Sequence, residues 1–393
     1  MPPYIPSKKR LDEYFNDLMR IEEHRSVATE TRINRLYKDM LKDLNSFLGV
    51  EYANLAEDDQ LTYAILTQKG QYARFMEQVV EKVNNISPKV SQEITSVVND
   101  TYKIAYEGMV KAVSKSINND DLGNRLKSIK TVPATVVKAA VNNPIAGLTL
   151  KDTLEKNRKE IVYNIKQTVG VGLMNGDRMS TMAKRISEQV DKDYRKSMLI
   201  ARTEVHRVRE TGHNDSCGDV DNILKNADSD YRMVKVWKTM QDGAVRNTFK
   251  ANHVKMNGQM VLQDEKFDLG GGYETECPGK SGLAQHDCNC RCYVSHTLMN
   301  DAEFYAATGR HFPETDNKEK KLEKQEQQLL DEQTALKDEK EKLEQRQKNL
   351  ESYEYDGIWK EPVTPKDYEA KASKIQAKRD YYNDEITKLK NRV

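Results

Sequence analysis

Long apolar runs are missing from this 393-residue sequence. No segment approaches the roughly 18 apolar residues that a membrane-spanning helix needs, so we expect no membrane span. The opening residues, MPPYIPSKKRLDEYF, lack the apolar centre of a secretory signal, and we expect synthesis in the cytoplasm. The mean hydropathy of −0.83 is typical of long helices that expose much of their surface.

An excess of charge of either sign is also absent. Lysine and arginine total 63, aspartate and glutamate total 62, and the net charge is +1. Such a chain has no overall electrostatic attraction to nucleic acid or to a membrane surface. Contact with DNA would have to be local and weak, through residues 8–10 (Lys-Lys-Arg) or the basic positions of residues 184–209.

Cysteine is scarce and unevenly distributed. The chain has five cysteines, and four of them lie between Cys277 and Cys292. An odd number gathered in one segment is not typical of a secreted disulfide framework. We therefore expect the protein to be made in a reducing compartment.

Most of the sequence has the periodicity of amphipathic helices. Apolar residues recur at helical spacing over residues 11–117 and again over 149–210. Pro133, Pro144 and Gly147 separate the two regions and predict a boundary there.

Two pairs of residues predict breaks within the second helical region. Asn175-Gly176 predicts a turn, because both residues tolerate positive φ. Thr211-Gly212 predicts the end of the following helix. The spacing of the ARTEVHR segment before it, taken alone, favours a solvated helix face with internal ion pairs.

A different pattern begins at Tyr231. Apolar and polar residues alternate in MVKVWKTM and predict a strand, and Gln259–Leu262 predicts a second, shorter one. The alternation in CNCRCYVSH predicts a last strand over Asn289–His296. We interpret this region as a small α+β module.

The chain after Ala306 is again helical, and it is strongly charged. Its leucines recur every seven residues, which supplies only one of the two apolar positions of a coiled-coil heptad: Leu322, Leu329, Leu336, Leu343 and Leu350. Pro362 and Pro365 break this helix, and Asp367–Val393 predicts another. We expect a helical hairpin or a solvated long helix, with an oligomeric coiled coil as the alternative.

These patterns predict a mainly α protein with a small α+β module. A long helical N-terminal arm covers residues 1–145, a compact cysteine-containing core covers 146–300, and a charged helical tail covers 301–393. We expect the arm to bind partner proteins.

The cysteines suggest a metal site. On a strand, positions i, i+2 and i+4 share one face, so Cys288, Cys290 and Cys292 are predicted to point the same way. Cys277 and His253 are further candidate ligands, because zinc binds thiolate and imidazole. The spacing is not that of a common zinc knuckle, so reduced core cysteines, or a disulfide such as Cys277 to Cys288, remain alternatives.

Catalysis is not expected from these residues. Asp242, Arg246 and His253 could be drawn as a metal-dependent nuclease site, but the candidate ligands are mostly thiols, which favour structural zinc. We therefore expect that the chain is not an enzyme. A nuclease or toxin-like effector and a DNA-binding accessory module remain alternatives to a structural protein.

The ordered motifs resemble those of the phage head morphogenesis family typified by the F protein of phage Mu. After GLTLKDTLEKNRKEI and GLMNGDRMSTMAKRI, the resemblance covers an Ala-Arg-Thr-Glu helix, a W…D..VR..H….G core, a Pro278-Gly279 pair and a closing NCRC. The positions that we assign to a structural core motif are Arg202, Thr203, Glu204, Trp237, Asp242, Arg246, His253 and Gly258.

The resemblance implies a minor capsid protein. Such proteins associate with the portal protein at one capsid vertex and act in head assembly and in DNA packaging or delivery. Major capsid or scaffolding protein and viral DNA would be further partners, and the place of the protein would be the capsid interior. Some family members carry C-terminal toxin domains. No catalytic residue is implied, and we expect Glu204, Arg246 and His253 to form a buried polar network.

Overall fold

The structure is a computed structural model. It describes residues 8–117, 124–126, 129, 131–227 and 229–351, together with 369–370, 373–374, 376–377 and 380. The chain forms two compact units, Met1–Leu298 and Met299–Val393.

Helices make up most of the first unit. In chain order they are α1 (Lys8–Leu55), α2 (Tyr63–Gln68), α3 (Tyr72–Asn84), α4 (Ser87–Ser116), α5 (Ala134–Val141), α6 (Leu150–Asn175), α7 (Met179–Asn226) and the short α8 (Ala284–Asp287). The strands are β1 (Tyr231–Lys238), β2 (Met260–Leu262), β3 (Phe267–Gly270), β4 (Tyr273–Thr275) and β5 (Tyr293–Asn300), with a 3₁₀ turn at Val254–Met256. The predicted fold class, mainly α with a small α+β module, is confirmed.

Helix α7 is the centre of the helical core. It packs against α4, α1 and α6, and one apolar cluster runs from Ile33 in α1 to Val208 in α7. This cluster contains residues from both sides of the predicted 145/146 boundary, so the two regions share one core. The assignment of partner binding to residues 1–145 stays a prediction.

The sequence predicted that this helix ends at Thr211-Gly212. Helix α7 instead continues to Asn226. Gly212 is instead a point of close helix packing. A Cβ atom there would lie 2.9 Å from both the carbonyl oxygen of Tyr102 and the Cβ of Ala105 in α4. A glycine that permits close approach and a glycine that ends a helix look alike in a single sequence.

The start and end of α6 follow local sequence rules. Thr149 and Asp152 form a capping box at its first turn. Gly176, with φ of 64°, ends it in the left-handed conformation. The predicted turn at Asn175-Gly176 is therefore present.

The α+β module contains two small sheets. One has the strand order β2-β1-β5, with β1 and β2 antiparallel in the register Val234↔Leu262, and the other is the β3-β4 hairpin. The first two predicted strands match β1 and β2 closely. The predicted last strand begins four residues too early, because Asn289 has a φ of 54° and Cys290 to Cys292 are not in extended pairing.

The second unit contains the end of β5, α9 (Asp301–Thr308) and α10 (Pro313–Glu351). Asn300 and Glu303 form a capping box that starts α9. The Nε2 of Gln333 in α10 donates to the Oε1 of Gln376, 3.0 Å away. Pro362, Pro365 and most of the predicted 367–393 helix lie outside the described residues.

None of the helices within the described residues is both long enough and apolar enough to cross a membrane.

The packing at Gly212 predicts a large cost for any side chain there. We expect Gly212→Leu to lower the free energy of unfolding by about 3 kcal/mol, the upper end for overpacking, because the new atoms meet backbone rather than a movable side chain. Gly218→Ala is the matched control on the same helix, since nothing lies within 4 Å of the added Cβ. It should stabilise by about 0.5–1 kcal/mol. Urea denaturation measures both, and equal effects would contradict the assigned close contact.

Candidate functional site

One face of α7 holds the segment that leads into β5. The Oγ1 of Thr203 accepts from the amide of Asn289 at 3.0 Å, and the Oε2 of Glu210 accepts from the amide of Val294 at 2.9 Å. Thr203, His206 and Glu210 are spaced i, i+3 and i+7, so they share one helix face. The segment carrying Cys290 and Cys292 is therefore attached to α7 at both ends.

Three potential metal ligands meet beside this face. The Nδ1 of His253 lies 3.6 Å from the Sγ of Cys290 and 3.5 Å from the Sγ of Cys292. All three ligand atoms lie within 4.8 Å of one another, and all three residues are buried. This group is positioned to bind a metal ion.

Hydrogen bonds orient His253 for coordination. The ring of His286 is bonded to the backbone of Lys250, and its Nδ1 lies 3.1 Å from the Nε2 of His253. Both hydrogen bonds form when the Nε2 of His253 donates to the Nδ1 of His286. The lone pair on the Nδ1 of His253 then faces the two sulfurs. Metal-binding histidines commonly donate their second ring N–H in this way. Trp237 packs edge-on against His253 and completes an apolar wall.

The two thiols differ in acidity. The Cys290 thiol donates to the sulfur of Cys292, which lowers the pKa of Cys292 against the opposing effect of burial. The same interaction, together with burial, raises the pKa of Cys290.

The other two predicted ligands lie outside this group. Cys277 is buried in the apolar core of the module, and burial raises the pKa of its thiol. Cys288 lies in the turn after α8, where the positive φ of Asn289 breaks the alternation that would have aligned three thiols. All five cysteines are free, so the alternative of a Cys277–Cys288 disulfide is wrong for this structure.

Arg246 connects two loops around the site. Its guanidinium donates to the backbone carbonyls of His286 and Cys288, and its own carbonyl accepts from the amide of His253 at 2.9 Å. It thus holds the loop of one ligand against the turn that precedes the cysteines.

Glu204 belongs to a different network. It forms a buried ion pair with Arg207 at 2.7 Å, and burial raises the pKa of Glu204. Arg207 also donates to the carbonyls of Ala140 and Val141 at the end of α5. The single network predicted for Glu204, Arg246 and His253 is therefore two networks, and the ARTEVHR segment is mostly buried rather than a solvated face.

The remaining motif residues form ion pairs near the surface or hold the backbone of a loop in place. Arg202, whose side chain is 58% exposed, pairs with Glu30, and Asp242 pairs with Arg291, both about 45% exposed. Gly258, with φ of 89°, donates its amide to the carbonyl of Trp237 at 2.8 Å.

Gly279 allows the backbone to lie against α7. Its φ is 83°, and a Cβ there would lie 3.1 Å from the Cα of Arg207. The Pro278-Gly279 motif therefore has a packing role beside the buried ion pair.

Residues 163–295 match the family model described as Phage Mu protein F like protein. The matched range holds every motif described above from the Ala-Arg-Thr-Glu helix to the closing NCRC. This region is similar to the phage head morphogenesis family. The resemblance found in the sequence is confirmed.

Two relatives are similar over most of the chain. The minor head protein GP7 of Bacillus phage SPP1 is 26% identical over 296 residues, which is 75% of this chain and 88% of that protein. The NAD(+)–arginine ADP-ribosyltransferase EFV of Enterococcus faecalis is 24% identical over 287 residues, which is 72% of this chain and 54% of that enzyme.

The second relative corrects one expectation. The thiol-rich candidate ligands led us to expect that the chain is not an enzyme. That exclusion is wrong, because a protein similar over 72% of the chain is named as an enzyme. The type of ligand at one site does not report on chemistry elsewhere in a chain.

The buried ion pair predicts an asymmetry between neighbouring arginines. Arg207→Met leaves the Glu204 carboxylate buried without its partner, and we expect it to cost about 3–5 kcal/mol of folding stability. Arg202→Met, one turn earlier, removes an exposed pair and should cost less than about 1 kcal/mol. Chemical denaturation compares the two, and a similar loss in both would show that the Glu204 pair is not decisive.

Proposed function

We propose that this chain is a phage minor capsid protein that associates with the portal vertex and acts in head assembly and in DNA packaging or delivery. The observation that carries this proposal is the family match over residues 163–295, together with similarity to a minor head protein over 88% of its length. These findings support a head morphogenesis role and a place in the virion. The portal, the capsid interior and the packaging step are our inference.

The N-terminal helices offer a surface for such a partner. Ile21 and Val50 on α1 are 54% and 58% exposed. Apolar side chains of this size on a polar helix are available to a protein partner. We place the portal contact on residues 1–145, with major capsid or scaffolding protein and weak local contacts to viral DNA as secondary partners.

The portal proposal predicts that a charge added to the surface of residues 1–145 weakens portal binding and that a charge added elsewhere does not. In co-expression with the portal protein, Ile21→Glu and Val50→Glu should weaken capture of the portal by about tenfold or more, because each buries a charge at the contact. Tyr163→Glu and Met174→Glu, which are 61% and 78% exposed on α6, are the matched controls outside residues 1–145.

The outcomes separate two questions. No capture of the portal by the wild-type chain would contradict the portal association. Capture that is weakened only by the α6 changes would keep the association and contradict the place assigned to it.

We further propose zinc as the metal of the His253, Cys290 and Cys292 group. With Zn–S near 2.3 Å and Zn–N near 2.0–2.1 Å, a tetrahedral site places nitrogen and sulfur about 3.6 Å apart. The two Nδ1–Sγ distances of 3.6 and 3.5 Å have this length. A single ion at the centre would satisfy both.

Metal removal should destabilise the protein. A strong chelator is expected to lower the melting temperature, and Zn²⁺ is expected to restore it, because the ion binds the folded chain and not the unfolded one. Cys290→Ser should abolish the chelator effect, whereas Cys277→Ser should retain it because Cys277 lies outside the group. Differential scanning calorimetry gives the shift, and a melting temperature indifferent to chelator and zinc would contradict the cofactor proposal.

The ADP-ribosyltransferase relative supports a second candidate function. Its name describes transfer of ADP-ribose from NAD⁺ to arginine, and 72% of this chain is similar to it. We propose the same transfer as the alternative activity. Incubating the chain with labelled NAD⁺ and an arginine-containing acceptor protein tests it. Label on the acceptor would support the transfer, and an unlabelled acceptor would contradict it.

A further inference from the structure

His206 carries a buried nitrogen with nothing to bind. Its side chain lies in α7 with 7% of the residue exposed. The Nδ1 is 3.2 Å from a guanidinium nitrogen of Arg209, whereas the Nε2 has no hydrogen-bond partner among the described residues. A buried polar atom without a partner costs on the order of 1–3 kcal/mol, so its position calls for an explanation.

His206 lies beside the metal group, on the helix face that holds the cysteine segment. Thr203 and Glu210 hold Asn289 and Val294, and His206 lies between them on the same helix face. The residues between Asn289 and Val294 include both site cysteines. The imidazole of His206 lies against the thiol of Cys290.

We propose that His206 is the fourth ligand and that the site is a Cys2His2 zinc centre formed by His206, His253, Cys290 and Cys292. This inference rests on the proposed zinc cofactor and adds the ligand that completes its coordination. It also replaces Cys277 and Cys288, the two thiols that the sequence had offered. No ring nitrogen of His206 belongs to the set of ligand atoms within 4.8 Å of one another, so its Nε2 would have to move onto the ion, while Arg209 could continue to donate to its Nδ1.

Charge balance favours this set of ligands. Binding releases one proton from each thiol, and the two thiolates neutralise Zn²⁺, while both imidazoles bind as neutral groups. A neutral centre suits residues that are all buried. A third or fourth thiolate from Cys277 or Cys288 would leave a net negative charge in the same apolar wall.

The centre would join parts of the fold that are distant in sequence. One ligand comes from the long core helix α7, one from the loop after β1, and two from the segment before β5. A single ion would therefore attach the α+β module to the helical core. Small modules with little regular structure commonly depend on such a metal for stability.

X-ray absorption at the zinc edge of the full-length wild-type chain tests the ligand set without any substitution. We expect two sulfur and two imidazole ligands, with one zinc per chain by elemental analysis. A first shell of two sulfurs and one imidazole with water, or of three or four sulfurs, would overturn the inference.

Variants test His206 directly. We expect His206→Gln to weaken zinc binding more than about 100-fold in competition with a chelator, beyond the 10–100-fold typical of residues that only support a ligand. His206→Cys should restore tight tetrahedral binding, visible in the absorption spectrum of the Co²⁺ form, because a thiolate can take the fourth position. A purely structural histidine would not be rescued in this way.

His213→Gln is the matched control. His213 is a fully buried histidine two turns further along α7, paired with Glu22 and outside the metal group. It should keep the zinc affinity of the wild-type chain even if it lowers stability.

The outcomes distinguish the two proposals. Zinc bound equally well by the wild-type chain and by His206→Gln would overturn the role of His206 and leave the zinc site standing. A wild-type chain that takes up no zinc from a zinc-containing buffer would overturn both.

Discussion

The buried polar face of α7 between Thr203 and Glu210 determines how this molecule holds together. On one side, Arg207 holds the end of α5 through two backbone carbonyls. On the other, Thr203 and Glu210 hold the segment that leads into β5. Polar groups removed from water have to be paired, so each residue on this face requires a partner at a defined place.

That requirement gives the ordered motifs a physical meaning. Glu204 is buried because Arg207 neutralises it, and Gly279 is needed because its backbone lies against the Cα of Arg207. Arg246 and Gly258 hold the loops on either side of His253. The motifs are therefore parts of one packed interface rather than separate sites.

Local structure could be predicted from the sequence wherever local rules determine it. Apolar periodicity identified the helices, Asn175-Gly176 identified a turn, and the alternation after Tyr231 identified β1. The errors occurred where tertiary contacts override local preference. Gly212 continues a helix because α4 packs closely there, and the positive φ of Asn289 separates Cys288 from the two cysteines that follow.

Only part of the candidate site could be predicted from the sequence. Residue chemistry selected His253, Cys290 and Cys292 as ligands, and the structure brings these three together. The same chemistry also selected Cys277 and Cys288, because thiols close in sequence cannot be sorted by direction without the backbone conformation. His206 was not selected, since it is 84 residues before Cys290.

The sequence by itself determined the helical class, the small α+β module and the resemblance to a known family, because periodicity and the order of motifs are properties of the chain alone. Only the tertiary structure decided which buried groups pair. It joined Glu204 to Arg207 rather than to Arg246, and it placed His206 beside Cys290. The physical reason is that pairing depends on direction and distance across α7, and residues far apart in the chain meet there only after the helices have packed.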